Sequence, residues 1–400
     1  TELLQAMIRN RCVNDGTPDS GHEYRNARLL HDELEGTGTE IETFETHPGR
    51  ESLVARLRGT DPSAPTLMLM GHTDVVPVSP EGWKADPFGG ELIGDEIWGR
   101  GAVDMLNVTS SMAVVFRHLA NTGTRFPGDI VYFAVADEEA GGHYGAEPLV
   151  EERWDALQCD YVLTEYGGSP LISRDETIVL LTTAEKGLET RRLHIHGQPG
   201  HGSMPWGTDN AIVKAAEIVR RIEDYDPGAR IDRLFEGRVR AHNFPADLEA
   251  NLLDPGRISE ALAELEPGLA RNLHSCCHTS FSSNMIEGGT KNNVIPDRVT
   301  LVVDIRVLPG ERTEDVEKHL LAAIGPELMA SVEVEVIHDG VSTESTTDTR
   351  LWSALEDSIR MSYPSARVMP SMITGGTDAR FFRSRGIPAY GAGLLSSRIG

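Results

Sequence analysis

Short segments that are almost continuously apolar constrain the fold of this chain more than any other feature. Three of them, at 66–74, 129–139 and 160–166, have the length and composition of buried strands. The segment 104–123, which lies between the first two, is apolar at helical spacing and ends on Gly123, a residue typical of helix C-termini. Strands that are apolar on both faces and alternate with helices predict an α/β fold with a mainly parallel sheet covered on both sides.

A different pattern begins near residue 185. Segments with strand or helix periodicity follow in the order β-α-β-β-α-β, at 187–197, 209–222, 279–289, 298–308, 313–324 and 331–340. This order predicts a ferredoxin-like unit. Because the α/β pattern resumes near residue 341, we expect this unit to be inserted into the first domain, which divides the chain into 1–184, 185–340 and 341–400. The stretch 223–278 fits neither pattern.

Composition narrows the classes of partner. The chain has 37 lysines and arginines against 62 aspartates and glutamates, a formal net charge of −25, which argues against nucleic acid or an anionic membrane as a partner. No apolar run approaches the roughly 20 residues that a membrane-spanning helix needs. Four cysteines in 400 residues, without a Cys-x-x-Cys pair, indicate reduced thiols and predict a cytoplasmic protein.

One histidine and several acidic residues lie at the carboxyl ends of the predicted strands or at the start of the predicted helix. They are His72, Asp74, Asp104, Asp137, Glu138, Glu139 and Glu165. Because ligands of open α/β sheets bind beyond the carboxyl ends of the strands, we expect these side chains to face one crevice. So many carboxylates would repel one another unless cations were present. Carboxylate and imidazole ligands favour Zn²⁺, with Mn²⁺ or Co²⁺ as alternatives.

Four segments, in the order "GHTDVVPV", "WGRGAVDM", "DEEAGGH" and "TGGTDARFF", resemble the dinuclear zinc peptidases and amidohydrolases of peptidase family M20. This is the aminoacylase, carboxypeptidase and succinyl-diaminopimelate desuccinylase group, and the first and third segments resemble its aminoacylase branch most. The resemblance spans about residues 65 to 395. It implies a three-layer catalytic domain of the zinc-exopeptidase type, formed by 1–184 and 341–400, with 185–340 as an inserted ferredoxin-like lid and dimerisation domain.

The resemblance also implies a set of metal ligands. Asp104 would bridge two zinc ions. His72 and Glu165 would complete the protein ligands of one ion, and Glu139 would bind the other. The chemistry implied is metal-dependent hydrolysis of the amide bond of an N-acyl amino acid or a short peptide with a free carboxylate.

Three further residues would act in catalysis if the resemblance holds. Glu138 would be the general base, and Asp74 would orient His72 from behind. His201, in the glycine-rich segment "GHGSMPWG", would reach into the active site of the partner subunit of a homodimer and stabilise the oxyanion. Both a deacylase and a dipeptidase would use these residues.

The remaining implied roles concern the substrate. Asn293 would assist His201 at the oxyanion, although its neighbour Asn292 is an alternative. Arg306, in an otherwise apolar strand, would bind the substrate carboxylate, for which its fork of donors is suited. Backbone N–H groups beside the same carboxylate would come from Gly375, Gly376 and Thr377.

One departure from the family pattern bears on the metal site. Family members take their last metal ligand from a histidine after a "YGxG" strand, whereas no histidine follows His338 in this sequence. We expect either that the protein continues beyond Gly400 or that the ion at Glu139 lacks a ligand. In the second case the chain would be a catalytically inactive homologue that binds a metal ion or an amino acid. A serine hydrolase is disfavoured because no Gly-x-Ser-x-Gly motif is present.

Overall fold

The computed structural model describes residues 1–79, 81–172 and 176–393. In chain order, its first helices and strands are α1 (Glu2–Arg9), α2 (Tyr24–Leu34), β1 (Glu40–His47), β2 (Arg50–Leu57), β3 (Leu67–His72), β4 (Glu91–Ile93), β5 (Glu96–Trp98), α3 (Leu106–Asn121), β6 (Ile130–Val135), a 3-10 turn (Glu138–Ala140), α4 (Ala146–Glu152), α5 (Trp154–Leu157), β7 (Tyr161–Thr164), β8 (Gly167–Ile172) and β9 (Thr177–Glu185). The three strands and the helix predicted in this part of the chain are all present, as β3, β6, β7 and α3.

The middle of the chain contains β10 (Gly187–His196), β11 (Gly200–His201), α6 (Ala211–Glu223), α7 (Arg233–Ala241), α8 (Ala246–Leu252), α9 (Ile258–Leu262), α10 (Pro267–Cys277), β12 (Ser280–Gly288), β13 (Val294–Ile295), β14 (Arg298–Val307), α11 (Thr313–Ile324), α12 (Pro326–Met329), β15 (Val332–Gly340) and β16 (Thr343–Glu344). The last elements are α13 (Arg350–Ser362), β17 (Arg367–Ile373), α14 (Ala379–Ser384) and β18 (Ala389–Gly391). None of the described helices is long and apolar enough to cross a membrane.

The chain divides into two compact units. The first unit comprises Thr1–Thr183, Ser345–Val368 and the described residues from Thr377 onward, and the second comprises Ala184–Glu344 and Met369–Gly376. The sequence-based division into 1–184, 185–340 and 341–400 stays a prediction, and the end of its third segment, 394–400, lies outside the described residues.

The centre of the sheet in the first unit is parallel. Strands β6, β3, β7 and β18 lie side by side in that order and run in the same direction. Strands β2 and β1 extend this sheet antiparallel on one side, and β9 with β8 extend it antiparallel on the other. The predicted α/β fold is confirmed, with the parallel strands at its centre and antiparallel strands around them.

Two apolar cores explain why the central strands are apolar on both faces. Along β3, Met68 and Met70 face one core, which α4, α5 and α14 cover, whereas Leu69 faces the other, which α1, α2 and α3 cover. Successive side chains of a strand point to opposite faces, so a sheet between two helical layers needs apolar residues at nearly every position. The first unit therefore has three layers, and its sheet meets solvent at the strand ends.

The second unit contains the predicted β-α-β-β-α-β order. Its four strands form an antiparallel sheet in the order β12, β14, β10, β15. Helices α6 and α11 pack on one face of this sheet, against buried side chains such as Leu193 and Leu301. Alternate residues of β10 and β14 are buried, which is the pattern of strands covered on one face only.

The stretch 223–278, which the sequence left unassigned, contains α7 to α10. These four helices have an apolar core of their own, which includes Phe235, Leu252, Leu273 and Cys277. All four cysteines of the chain are buried and free. Their reduced state agrees with the expected thiols, and a cytoplasmic location stays a prediction.

Candidate metal centre and active site

The parallel strands β6, β3 and β7 bring the candidate ligands to one edge of the sheet. His72 is the last residue of β3 and lies in register with Val135, the last residue of β6. Residues 137–139, which we call the acidic loop, follow β6, and Glu165 directly follows β7 on the other side of β3. Because parallel strands end at the same edge, His72 lies between carboxylates supplied from both sides.

The distances confirm that His72 is the centre of this group. Its Nε2 atom lies 3.1 Å from Oδ1 of Asp104, 3.7 Å from Oε2 of Glu165 and 3.9 Å from Oε2 of Glu138. Two groups of residues place their potential ligand atoms close together. The first is His72, Glu138 and Glu165, and the second is His72, Asp104 and Glu139; within each group, these atoms all lie within 4.8 Å of one another. We call these five residues the carboxylate cluster. The structure thus brings together all four sequence-predicted ligands and the predicted base.

Burial makes this concentration of negative charge costly. His72 is 1% exposed and Glu165 is 4% exposed. Burial raises the pKa of Glu138 and of Glu165 well above the usual value of a glutamate, and it raises the pKa of Glu139 to about 7. Burial alone would lower the pKa of His72, but the neighbouring carboxylates of Glu165 and Asp104 outweigh it and raise that pKa well above its usual value.

The donor set therefore fits a divalent cation. Among the described residues, no lysine or arginine forms an ion pair with a carboxylate of the cluster. Carboxylates withdrawn from water normally require a cationic partner, and among the described residues one imidazole is the cationic side chain within reach of this cluster. Oxygen ligands combined with one imidazole nitrogen suit zinc, manganese or cobalt. Zinc, and two ions per chain, stay predictions.

Asp74 contacts the imidazole of His72, more closely through its backbone than through its side chain. Nδ1 of His72 lies 3.0 Å from the carbonyl oxygen of Asp74 and 3.5 Å from its Oδ1 atom. With an N–H on Nδ1 donating to this carbonyl, Nε2 is the nitrogen that faces the carboxylate cluster, and its lone pair would serve a metal ion once Nε2 has given up its proton. The other carboxylate oxygen of Asp74 accepts hydrogen bonds from Nδ2 of Asn14 and the backbone N–H of Glu139. Asp74 thus connects the histidine to the acidic loop.

Tyr166 is a site residue that the sequence reasoning missed. Its hydroxyl donates a 2.6 Å hydrogen bond to Oδ2 of Asp104, the predicted bridging ligand. Its backbone has a positive φ of 53°, which turns the chain immediately after Glu165. Burial raises the pKa of Tyr166, so its hydroxyl remains a donor. The available signal was its position directly after Glu165 in "LTEYGG".

Asp378 is the second residue missed. It is 2% exposed, and neither of its carboxylate oxygens has a hydrogen-bond partner among the described residues. Burial raises its pKa to about 7, and its charge in turn raises the pKa of Glu138 and Glu165. An unpaired carboxyl group beside the cluster increases the local need for a cation. The available signal was its position in the segment "TGGTDARFF", directly after Gly375, Gly376 and Thr377, to which a role was assigned.

Within the second unit, the structure places His201 next to Asn293. The short strands β11 and β13 pair, with His201 opposite Val294, and the N–H of Gly202 donates to the carbonyl oxygen of Asn293 at 2.8 Å. His201 is exposed, and its Nδ1 lies 2.7 Å from the hydroxyl of Ser203. The roles of His201 and Asn293 at an oxyanion stay predictions.

Arg306 lies on β14 of the same unit, and its side chain pairs with Asp304. Its Nε lies 2.9 and 3.2 Å from the two carboxylate oxygens of Asp304, two residues earlier on the same face of the strand. The side chain is 31% exposed, so it remains accessible to a ligand.

Three predicted carboxylate-binding residues connect β17 to α14. Gly375 and Gly376 belong to the second unit, and Thr377 is a buried residue of the first. Thr377 accepts a hydrogen bond at its hydroxyl from the N–H of Ala379. The binding of a substrate by these residues stays a prediction.

Comparison with known proteins agrees with this geometry. The family model described as "Peptidase family M20/M25/M40" matches residues 68–398. Aminoacylase-1 of Sus scrofa is 30% identical over 396 residues, an alignment that covers 97% of this chain and 85% of the relative.

Two solved structures have the same fold. The di-peptidase Dug1p from Saccharomyces cerevisiae aligns with a TM-score of 0.68 at 20% identity, over 98% of this chain and 87% of that one. The M20 family metallo-carboxypeptidase Sso-CP2 from Sulfolobus solfataricus aligns with a TM-score of 0.70 at 19% identity, over 98% of this chain and 91% of that one.

Proposed function

The chain belongs to peptidase family M20/M25/M40 and is a metal-dependent hydrolase of amide bonds, and from this premise we propose that it cleaves N-acyl amino acids or short peptides with a free carboxylate. The observation that carries the proposal is the cluster of four carboxylates, one buried and three half-buried, around the buried His72 at the sheet edge where the parallel strands end. The similarity to aminoacylase-1 over almost the whole chain supports the N-acyl amino acid as substrate.

We propose that His72, Asp104, Glu139 and Glu165 hold two zinc ions, with cobalt or manganese as possible substitutes. When bound, such ions lower the pKa of water towards neutrality and polarise an amide carbonyl. Tyr166 and Asp74 would keep Asp104 and His72 in position through the hydrogen bonds described above.

We assign the proton transfers to Glu138. Its carboxylate takes a proton from the attacking water, and the electron pair left on that oxygen forms the new bond to the amide carbon. Glu138 then gives the proton to the amide nitrogen, the carbon–nitrogen bond breaks, and a carboxylic acid and an amine are released. The burial of Glu138 favours this role, because a raised pKa makes a carboxylate a better proton acceptor near neutral pH.

His201 and Asn293 would donate hydrogen bonds to the oxyanion that forms on the substrate. His201 lies on β11 and Asn293 directly precedes β13, which pairs with β11, and this proximity supports a shared role. The loop that carries His201 also contains Met204 and Trp206, which are 70% and 96% exposed. Apolar side chains so exposed favour a loop that inserts into another protein surface, in agreement with action in a partner subunit.

The second unit supports a homodimer. Met285 and Ile286 on β12 are 67% and 60% exposed, and Val213 on α6 is 64% exposed. Strand β12 lies at the edge of the four-stranded sheet, where no further strand of the described chain pairs with it. An exposed edge strand with apolar neighbours is a surface that a second copy can cover by twofold symmetry.

Hydrolysis of a matched pair of substrates tests the proposed function. With zinc present, we expect N-acetyl-L-methionine to be cleaved with a kcat/KM about 10- to 100-fold higher than that of N-acetyl-L-methioninamide, which lacks the carboxylate. Arg306→Gln should remove most of this preference, whereas Arg298→Gln on the same strand should keep it. Liquid chromatography of released methionine and methioninamide measures both rates. No zinc-dependent release from either substrate would contradict the proposal.

Mixing two inactive variants tests the homodimer and the role of His201 together. Glu138→Ala and His201→Ala should each lose most activity, but in a mixed dimer one site combines an intact Glu138 with an intact His201 of the other chain. Equal amounts, unfolded and refolded together, should recover about a quarter of the wild-type rate if dimers form at random. A mixture no more active than its components would show that His201 does not act across subunits. Each variant refolded alone is the control.

A further inference from the structure

A buried polar cluster supports the acidic loop and includes its first residue, Asp137. Its members are Asn14, Glu23, Arg50, Asp74 and Asp137, each at most 3% exposed. They come from separate parts of the first unit: the loop after α1, the start of α2, the start of β2, and the ends of β3 and β6. Burial of so many polar groups is unfavourable unless each finds a partner. Because an apolar core would be easier to form at this place, we ask what these polar residues contribute to function.

Arg50 joins two carboxylates in this cluster. Its Nε and Nη2 atoms donate to both oxygens of Glu23 at 2.7 to 3.1 Å, and Nη2 also donates to Oδ1 of Asp137 at 2.6 Å. Only the planar fork of an arginine can reach two oxygens of one carboxylate and an oxygen of another in this way. A lysine at this position would keep the charge and lose the geometry.

Asp137 is the residue that Arg50 holds in place. Its backbone has a positive φ of 69°, a conformation that aspartate rarely adopts outside tight turns. Its carboxylate accepts hydrogen bonds from Arg50, from Nδ2 of Asn14 at 2.9 Å and from the N–H of Tyr144 at 2.8 Å. Such strain persists only where the surroundings determine it, and it commonly marks functional sites.

The direction of the acidic loop follows from this conformation. Glu138 and Glu139 come directly after Asp137, so the left-handed turn at Asp137 sets the direction in which both side chains leave the strand. Asn14 continues the network, because its Nδ2 also donates to Asp74 at 2.8 Å. The same oxygen of Asp74 accepts from the N–H of Glu139.

We propose that Arg50 is a positioning residue for hydrolysis: it keeps Asp137 in its left-handed conformation and thereby presents Glu138 and Glu139 to the carboxylate cluster. The inference rests on the proposed function, because it assigns to Glu138 the proton transfer and to Glu139 a metal ligand. Arg50 itself reaches no substrate.

A second arginine of the same strand provides a matched control. Arg56 is also buried on β2, pairs with Asp129 at 2.9 Å and donates to the carbonyl oxygens of Ala156 and Gln158. Arg50→Lys and Arg56→Lys both weaken a buried ion pair, so both should lower the melting temperature. We expect only Arg50→Lys to lower kcat, by about 100-fold, with KM within about twofold of wild type, since small misplacements of reacting groups have effects of this size.

Zinc affinity supplies a readout that does not depend on turnover. In competition with a chromogenic chelator, Arg50→Lys should bind zinc about 10- to 100-fold more weakly than wild type, as is typical when the support of a ligand is lost, and Arg56→Lys should not. Equal kcat and equal zinc affinity in the two variants would overturn the inference. If wild type hydrolyses neither acetyl substrate, the proposed function fails, and the zinc affinities alone decide the role of Arg50.

A second pair of variants covers the case in which Arg50→Lys does not fold. Asp137→Asn removes the charge that Arg50 holds, and Asp129→Asn does the same for Arg56. Weaker zinc binding and lower kcat in Asp137→Asn alone would support the inference. Equal values in the two asparagine variants would contradict it.

Discussion

Replacing Glu138 with glutamine should abolish nearly all hydrolysis and leave the protein folded and zinc-loaded. Glutamine has the size of glutamate but cannot accept a proton from water, so the loss should be about 10²- to 10⁴-fold in kcat. Glu138→Ala should lose as much activity. The surrounding structure favours a base in this position. The Glu138 side chain is 11% exposed, and its Oε2 atom lies 3.9 Å from Nε2 of His72, farther than the carboxylate oxygens of Asp104 and Glu165.

The metal content decides between two roles for Glu138. One set of potential ligand atoms includes Glu138 with His72 and Glu165, so the geometry also allows it to be a ligand. Elemental mass spectrometry of the reconstituted and desalted variants distinguishes them: a base leaves zinc unchanged, whereas a ligand lowers it. Glu151→Gln, an exposed glutamate on α4, is the control and should keep both activity and zinc. Unchanged turnover in Glu138→Gln would remove Glu138 as the base.

The central strands, and the candidate ligands at their carboxyl ends, could be predicted from the sequence for one physical reason. A strand buried on both faces must be apolar almost throughout, so a histidine or glutamate at its end has no packing role and becomes visible in the pattern. The same principle identified β3, β6 and β7, and with them His72, the acidic loop and Glu165. Periodicity likewise gave helix α11, whose bounds, Thr313–Ile324, are those predicted.

The buried polar cluster around Arg50 could not be predicted from the sequence. The hydrogen bond between Arg50 and Asp137 joins residues 87 apart, and that between Asn14 and Asp137 joins residues 123 apart. An arginine at the start of a strand is ordinarily an exposed residue, and nothing local shows that Arg50 is buried. Asp378 was missed for the same reason, because burial of a polar group is a property of the folded chain.

The helices α7 to α10 were missed because they are short, with lengths of 5 to 11 residues. Helix α9, for example, spans only Ile258–Leu262. Helices of this length are stable only by packing, and their apolar residues form a core only when all four helices are assembled. Periodicity over a window of 11 to 18 residues cannot detect such elements.

Replacing His72 with alanine should have the broadest effect, because His72 belongs to both sets of potential ligand atoms. We expect two zinc ions per wild-type chain and fewer than one per His72→Ala chain, with no measurable hydrolysis. Without the imidazole, Asp104, Glu138 and Glu165 lose the cationic neighbour that they have among the described residues, and their mutual repulsion must be relieved by protonation. Zinc should also fail to stabilise the variant. In wild type, zinc at 100 times its Kd should contribute about 2.7 kcal/mol per occupied site to the free energy of unfolding.

Thermal unfolding and elemental analysis of the same samples separate loss of metal from loss of fold. His118→Ala, in helix α3 and outside the carboxylate cluster, should behave as wild type in zinc content and in the rise of melting temperature on zinc addition. A His72→Ala protein that melts cooperatively yet gains nothing from zinc would assign the histidine to the metal site. Two zinc ions retained by His72→Ala would show that the carboxylates bind them without it. In that case His72 would have a structural role and would not be a metal ligand, and the acidic residues alone would hold the ions.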